Sequence, residues 1–204
     1  GFPRFKSFDR MRSLYYPQFG FELGEKLKVT SFGELSIVKH RRIAGTIKTL
    51  TIKRELSGKW FAVFCAEQEP GQPKTNNGGQ IGIDLGLITL ATLSNGEKIK
   101  NPHHMKTHEE RLAFFQRELS NKKKGSHNRK SAKIKVARLH ERVANTRLDF
   151  LHKTANKLLS DYSLIAMEQL ASQEMAMQGH GKGINDAGWG TFANILAYKA
   201  ENAG

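Results

Sequence analysis

Two acidic residues lie in apolar segments that have the length and composition of β-strands. Asp84 lies within residues 80–86, and Glu168 lies within residues 163–170. A carboxylate buried in a strand is costly unless it is paired, protonated or bound to a cation. Each acid taken alone is explained as well by an ion pair with one of the many Lys or Arg residues. Two such acids in two strands of one predicted sheet favour a shared role.

The chemistry that needs this arrangement is metal-assisted hydrolysis of phosphodiesters. Hard cations such as Mg²⁺ or Mn²⁺ take oxygen ligands and keep several water molecules, so one or two carboxylates and a substrate phosphate complete each site. Two such ions about 4 Å apart activate a water molecule and stabilise the leaving oxygen. Gly82 and Gly86, on either side of Asp84, permit the close approach of a ligand. We therefore predict that Asp84 and Glu168 are catalytic and hold Mg²⁺ or Mn²⁺.

Basic residues are concentrated in one short segment. Residues 120–147 hold ten Lys and Arg residues and a single acid, Glu141. Such a run is usually a solvated helix face beside a flexible loop, where opposite charges alternate at helical spacing. Here the opposite charges are missing, which favours contact with a nucleic-acid phosphate backbone. Together with two residues of a basic amino-terminal arm, the predicted nucleic-acid-binding residues are Arg4, Lys6, Lys122, Lys123, Lys124, Arg129, Lys130, Lys133, Lys135, Arg138, Arg142 and Arg147.

The composition agrees with a polyanionic partner. The 204 residues include 33 Lys and Arg against 19 Asp and Glu, a formal net charge of +14, which excludes an ordinary acidic enzyme. The single cysteine, Cys65, excludes an intrachain disulfide and a multi-cysteine zinc site within these residues, and we expect it in a small apolar core. No apolar stretch is long enough to cross a membrane and no secretory signal opens the sequence, so we expect a soluble intracellular protein without a membrane partner.

Periodicity divides the chain into two parts. Residues 1–20 are predicted to be an irregular arm, and residues 24–69 alternate in short runs typical of a small antiparallel sheet or barrel. Pro, Gly and Asn dominate residues 69–80, which marks a boundary. The predicted domains are residues 1–70 and 81–204, joined by a linker at 71–80.

The second part alternates between strands and helices. Strands are predicted at 80–86, 88–94, 97–100 and 163–170, with a hairpin at Asn95 and Gly96. Helices are predicted from His104 to a basic loop at 121–130, then from that loop to about residue 160, and at 191–201. The long helix is expected to bury a stripe formed by Val136, Leu139, Val143, Leu148, Leu151, Ala155 and Leu158.

The order of these elements favours a nuclease fold. A strand with an Asp, a hairpin, helices and a second strand with an acid follow one another as in the ribonuclease-H-like nucleases. The predicted fold class is therefore α/β, or α+β overall, with a mixed sheet and a helical hairpin.

The remaining polar and aromatic features are given structural roles. The histidines within residues 103–108 have a spacing that suits a metal, but a solvated helix start explains them better. Asp186 is expected to cap the last helix. Trp60 and Trp189 are expected to pack in cores.

Several segments of the chain, in order, resemble the TnpB proteins. These are OrfB-type transposases of bacterial insertion sequences and relatives of the compact type V CRISPR effectors. Residues 82–96, GIDLGLITLATLSNG, are similar to the first RuvC motif of that family. The resemblance continues through residues 1–6, 122–126, 135–141, 149–153 and 186–190. It implies a transposon-associated, RNA-guided and metal-dependent DNA endonuclease that binds guide RNA and target DNA, in the cytoplasm of a prokaryote and at the nucleoid when bound to DNA.

The resemblance also implies roles for individual parts. Asp84 matches the first catalytic aspartate and Glu168 the catalytic glutamate of a ribonuclease-H-like RuvC domain, while residues 1–70 match part of a wedge-like β-barrel. In that family a helical lobe precedes this segment, and a four-cysteine zinc ribbon and a third RuvC motif with the last catalytic aspartate follow it. Zinc is therefore expected only outside this chain, and the chain alone is expected to be inactive. The alternative is a catalytically inert RNA- and DNA-binding protein, either a repressor or a truncated remnant.

Overall fold

The fold combines sheets and helices, as predicted for the α+β class. A computed structural model describes residues 10–69, 78–168 and 186–203. The chain divides into two compact units, residues 1–70 and 71–204, which are described separately. No helix within the described ranges is both long and apolar enough to cross a bilayer.

The first unit is built from six short strands. They are β1 (Ser13–Pro17), β2 (Phe21–Leu23), β3 (Leu27–Val29), β4 (Gly33–Leu35), β5 (Thr46–Arg54) and β6 (Trp60–Glu67). They form two three-stranded antiparallel sheets, in the orders β1-β5-β6 and β2-β3-β4, around a core of Leu27, Val29, Leu50 and Ile52. Among residues 10–69 no closed barrel is found, so the barrel is not confirmed.

Two expectations for the first unit are wrong. The segment expected to be irregular contains β1, because Leu14 and Tyr16 alternate with exposed neighbours and pair with β5. Cys65 is exposed rather than buried, since its neighbour Phe64 packs against the core and successive side chains of a strand point to opposite faces. Arg4 and Lys6 lie outside the described residues.

The second unit contains a mixed four-stranded sheet. Its strands are β7 (Gly79–Leu85), β8 (Thr89–Leu93), β9 (Lys98–Lys100) and β10 (Tyr162–Met167), in the order β10-β7-β8-β9. The pairs β7–β8 and β8–β9 are antiparallel, whereas β10 and β7 are parallel. The predicted hairpin at Asn95 and Gly96 is confirmed: Gly96 has a φ of 88°, and the Asn95 side chain accepts a hydrogen bond from the Glu97 amide at 2.9 Å.

Four helices accompany this sheet in the described residues. They are α1 (His104–Thr107), α2 (Glu109–Ser120), α3 (His127–Asp161) and α4 (Trp189–Ala203). The connection from α2 to α3 is shorter than the predicted loop at 121–130, because α3 already begins at His127. Its N-cap is Ser126, whose hydroxyl accepts a hydrogen bond from the Arg129 amide at 3.2 Å.

The core of the second unit lies between one face of the sheet and the helices α3 and α4. Ile83 and Leu93 of the sheet pack with Leu151 of α3 and Phe192 of α4. The predicted stripe of α3 is mostly buried or half-buried, but Leu148 is 39% exposed. The buried residues Ala132 and Thr154 were not in that stripe. The buried face shifts along this 35-residue helix, which packs on α2, α4 and β10.

Candidate functional site

Asp84 lies on the open face of the four-stranded sheet. In β7 the side chains of Ile81 and Ile83 enter the core, and Asp84, one step further, points to the opposite face and is exposed. The prediction that Asp84 is buried is therefore wrong. An apolar strand can be covered on one face only, and Asp84 occupies the uncovered face.

Glu168 lies near Asp84, next to the neighbouring strand β10. It is exposed and directly follows Met167, the last residue of β10, and the remainder of the predicted strand, residues 169–170, lies outside the described residues. Met167 pairs with Ile83 in the parallel register. One further step along both strands sets Glu168 beside Asp84, at the spacing of neighbouring strands, about 4.8 Å.

Both acids line one open cleft on this face. The cleft has a volume of about 500 Å³. It is lined by Gly82, Ile83, Asp84, Thr92, Leu93, Ser94, Ala166, Met167 and Glu168. Gly82, Ala166 and Ser94 are small, so bulky side chains do not crowd the acids. The structure thus brings the two predicted catalytic residues together in a place that a large ligand can reach.

The donor atoms of this cleft suit a hard divalent cation. Two carboxylates and two hydroxyls offer oxygen alone, and Mg²⁺ binds through one or two carboxylates while it keeps several waters. Within residues 10–69, 78–168 and 186–203, no group of three or more His, Cys, Asp or Glu side chains is placed to hold a metal.

The carboxyl end of β7 is held by Gly86 and Trp189. The indole of Trp189 donates a hydrogen bond to the Gly86 carbonyl at 3.2 Å, and Trp189 is buried, as predicted. A side chain at Gly86 would place its Cβ 2.9 Å from the Thr89 carbonyl oxygen. These contacts fix the strand just beyond Asp84. Trp60, by contrast, is 61% exposed beneath the Arg54 guanidinium, so its predicted core position is wrong.

Asp186 caps a helix, but not the predicted one. Its carboxylate is buried and accepts a hydrogen bond from the Met105 amide at 2.8 Å, which satisfies the first turn of α1. The predicted solvated helix start is also wrong for His104, whose half-buried ring packs edge-on against Phe150 with 5.9 Å between centroids.

The environment of His104 predicts a pH-dependent stability. Burial lowers the pKa of His104; Asp186 acts in the opposite direction, and Arg147 and His108 lower the pKa further. The unfolded chain therefore binds the proton more tightly than the folded chain. The stability that neutral His104 contributes is complete above the unfolded value of about 6.5 and is lost as the pH falls below it.

We expect His104→Phe to reduce the loss of stability at acidic pH, because phenylalanine keeps the ring contact and cannot take up a proton. The measurement is the free energy of unfolding in urea at about pH 7.5, 6 and 5. His140→Gln, at an exposed position of α3, is the matched control for the loss of one histidine. Equal pH dependence in the His104 variant and the unchanged chain would contradict the prediction.

Most of the predicted nucleic-acid-binding residues lie on the surface of the α2–α3 pair. The exposed ones are Lys122, Lys123, Lys124, Lys130, Lys133, Lys135, Arg138 and Arg142. Lys135, Arg138 and Arg142 follow one another at steps of three and four, which places them on one face of α3. Lys122, Lys123, Lys124 and Lys130 form no ion pair with any described residue. We call these four the basic turn.

Arg129 has a structural contact that the sequence did not indicate. Its Nη1 donates hydrogen bonds to the carbonyls of Leu119 at 2.7 Å and Lys122 at 2.9 Å. The guanidinium thereby caps the end of α2 and ties it to the start of α3. Arg129 and Arg147 are both half-buried, unlike the eight exposed residues of the α2–α3 pair.

Comparisons with known proteins show which family the sequence matches. The family model OrfB_IS605, described as "Probable transposase", matches residues 63–178. A protein of Streptomyces pristinaespiralis named "Putative RNA-guided DNA endonuclease" is 40% identical over 153 residues, which cover 74% of this chain and 38% of that protein. "Putative RNA-guided DNA endonuclease InsQ" of Escherichia coli strain K12 is 30% identical over 217 residues, covering 97% of this chain and 54% of its own length. The chain thus spans about half or less of these curated relatives.

Proposed function

Because the chain belongs to the OrfB_IS605 transposase family, of TnpB type, we propose that it carries the carboxylate-bearing part of a transposon-associated, RNA-guided DNA endonuclease. The observation that carries the proposal is the meeting of Asp84 and Glu168 in one open cleft. They come from strands separated by more than 70 residues of sequence, and the parallel pairing of β10 with β7 brings them side by side.

The proposed nuclease domain is ribonuclease-H-like, of the RuvC type. In support, the described part of the second unit has the expected order of a strand with an acid, a hairpin, helices, and a parallel strand that leads into the second acid. Residues 1–70 are proposed to be part of a wedge-like domain that contacts guide RNA and DNA. Their two small sheets are compatible with such a part.

Asp84 and Glu168 are the residues that would hold Mg²⁺ or Mn²⁺. When bound, the cation would supply Lewis acidity and lower the pKa of water, which is the chemistry that phosphodiester hydrolysis needs. The two carboxylates would hold it at the edge of a rigid sheet, and the small residues Gly82 and Ala166 would leave room for a sugar–phosphate backbone. Zinc is expected only in a ribbon outside this chain.

The basic surface of α2 and α3 is proposed to hold the phosphate backbone of guide RNA or target DNA. Backbone contacts of Lys and Arg carry no sequence information, and base pairing with the guide reads the target in RNA-guided systems. The relatives' names mention RNA guidance and DNA cleavage, which supports the same partners here. We expect the protein to act at the nucleoid, in the cytoplasm of a prokaryote.

The test is a cleavage assay on the uninterrupted reading frame that contains this chain, purified with RNA transcribed from the adjoining transposon end. Supercoiled plasmids carrying the matching target should be cut in Mg²⁺, and not in EDTA or without the RNA. Binding of RNA and DNA with no cleavage under any of these conditions would overturn the nuclease proposal and favour the inert binding protein.

A further inference from the structure

We propose that Thr92 is a third member of the carboxylate site, and that its hydroxyl holds a water molecule of the hydrated divalent cation. The inference rests on the proposed function. It adds a residue that lies on neither β7 nor β10. Thr92 lies on β8, and the strand order β10-β7-β8 places Glu168, Asp84 and Thr92 in a row across the open face of the sheet.

The strand register puts Thr92 directly opposite Asp84. The two residues are partners in the antiparallel pairing of β7 with β8. Two residues away, the Ser94 amide donates to the Gly82 carbonyl at 2.9 Å, so Gly82 and Ser94 form a hydrogen-bonded pair. Such pairs recur at every second position of an antiparallel ladder, and therefore Asp84 and Thr92 also form one. Their Cα atoms are then about 5.5 Å apart, a spacing that one water molecule spans between the two side chains.

The hydroxyl of Thr92 is available for this contact. Within the described part of the chain, neither the hydroxyl of Thr92 nor the carboxylates of Asp84 and Glu168 make a hydrogen bond or an ion pair. The neighbouring hydroxyl differs, because Ser94 Oγ accepts a hydrogen bond from the Gly82 amide at 3.1 Å and belongs to the backbone pairing. Of the two hydroxyls that line the cleft, Thr92 is thus the one that can receive a ligand.

The chemistry of a hydrated cation explains why a hydroxyl belongs there. Mg²⁺ and Mn²⁺ keep several of their waters when only carboxylates bind them, and these waters must donate hydrogen bonds to the protein. A threonine hydroxyl can accept one such hydrogen bond from a water, and it can donate a hydrogen bond to a carboxylate. The loss of a group that contacts a metal only through its ligands or waters typically lowers the metal affinity by about 10- to 100-fold. Thr92 is therefore a positioning residue, which acts through the cation's water and not by direct coordination.

The experiment is a titration with Mn²⁺ of the protein encoded by the uninterrupted reading frame that contains this chain, in which free Mn²⁺ is measured by electron paramagnetic resonance. The Mn²⁺ binding that Asp84→Asn removes is the portion that belongs to this cleft. Thr92→Val, which keeps the shape of the side chain and removes the hydroxyl, is expected to weaken that portion by about 10-fold, whereas Thr92→Ser should stay within about threefold of the unchanged chain. Thr89→Val, the same substitution on the same strand but outside the cleft, is the matched control and should have no effect.

The outcomes separate this inference from the function on which it rests. If the unchanged chain shows no Mn²⁺ binding that Asp84→Asn removes, the metal site and the role of Thr92 are both overturned. If that binding is present and Thr92→Val leaves it unchanged, only the role of Thr92 is overturned. Circular dichroism checks that each variant is folded. If Thr92→Val is not, Thr92→Ala, which adds no volume, takes its place with the same expected loss.

Discussion

Asp84→Asn is expected to lower the rate of DNA cleavage by the complete RNA-guided protein by at least about 1,000-fold, while guide-RNA binding stays within about twofold. The amide is nearly the same size as the carboxylate but lacks the negative charge that holds a divalent cation. Asp84 is exposed on the open face of the sheet, so the substitution disturbs neither the core nor an ion pair in the described residues. The measurement is single-turnover cleavage of a labelled target in saturating Mg²⁺, with RNA binding followed separately by filter retention.

Asp149→Asn is the matched control for this prediction. Asp149 is an exposed acid of α3 that pairs with Lys153 at 2.7 Å and does not line the cleft. Its loss should change the cleavage rate by less than about twofold, since exposed ion pairs contribute little. Cleavage that survives Asp84→Asn after stringent purification would remove Asp84 from the active site.

Replacement of the four lysines of the basic turn by glutamine is expected to lower the affinity for nucleic acid by on the order of 100-fold at low salt. Each phosphate contact releases a condensed counterion, so the loss of four contacts should reduce the slope of log K against log salt by about 3. These lysines are exposed and have no acidic partner among the described residues, which leaves their charge to an outside polyanion. The measurement is fluorescence anisotropy with a labelled RNA or duplex DNA between about 50 and 200 mM salt.

The chain offers a control with an identical change of charge. Lys26, Lys48, Lys53 and Lys157 each pair with a glutamate, and the pairs are Lys26–Glu34, Lys48–Glu67, Lys53–Glu55 and Lys157–Glu97. Replacing these four lysines by glutamine removes the same net charge, but from positions where a glutamate already neutralises the charge of the lysine. If both quadruple variants lose affinity and salt dependence equally, the basic turn has no special role, because net charge or contacts of the first unit then account for the binding.

The elements around the candidate site could be predicted from sequence because they depend on local pattern. The apolar run around Asp84 and the Asn95-Gly96 turn specify β7 and the hairpin of β8 with β9 without knowledge of the rest of the chain. The exposure of Asp84 could not be predicted in this way. A short apolar strand has the same composition whether one or both of its faces are covered, and which face is open depends on where α3 and α4 pack.

Contacts between distant residues account for the other errors. The sequence pattern assigns Asp186 to the helix that follows it, but its carboxylate accepts a hydrogen bond from the Met105 amide, 81 positions earlier in the sequence. The charge pattern groups Arg129 with the other cations of its segment, but its guanidinium donates to backbone carbonyls at the end of α2. Charge counts and spacing show how many basic residues a segment has. They do not show which of them a neighbouring backbone already engages.

The hydrogen bonds from Arg129 to the end of α2 would affect the entropy of the proposed nucleic-acid binding. A loop of lysines between two helices would ordinarily sample many conformations, and ordering each residue on a polyanion would cost about 1–2 kcal/mol of conformational entropy. Here Ser126 starts α3 and Arg129 closes α2, so the turn between them is ordered before any partner arrives. In the proposed complex, nucleic acid would therefore meet a preorganised array of charges, whereas a peptide of the same sequence, cut free from the two helices, would have to regain that order on binding.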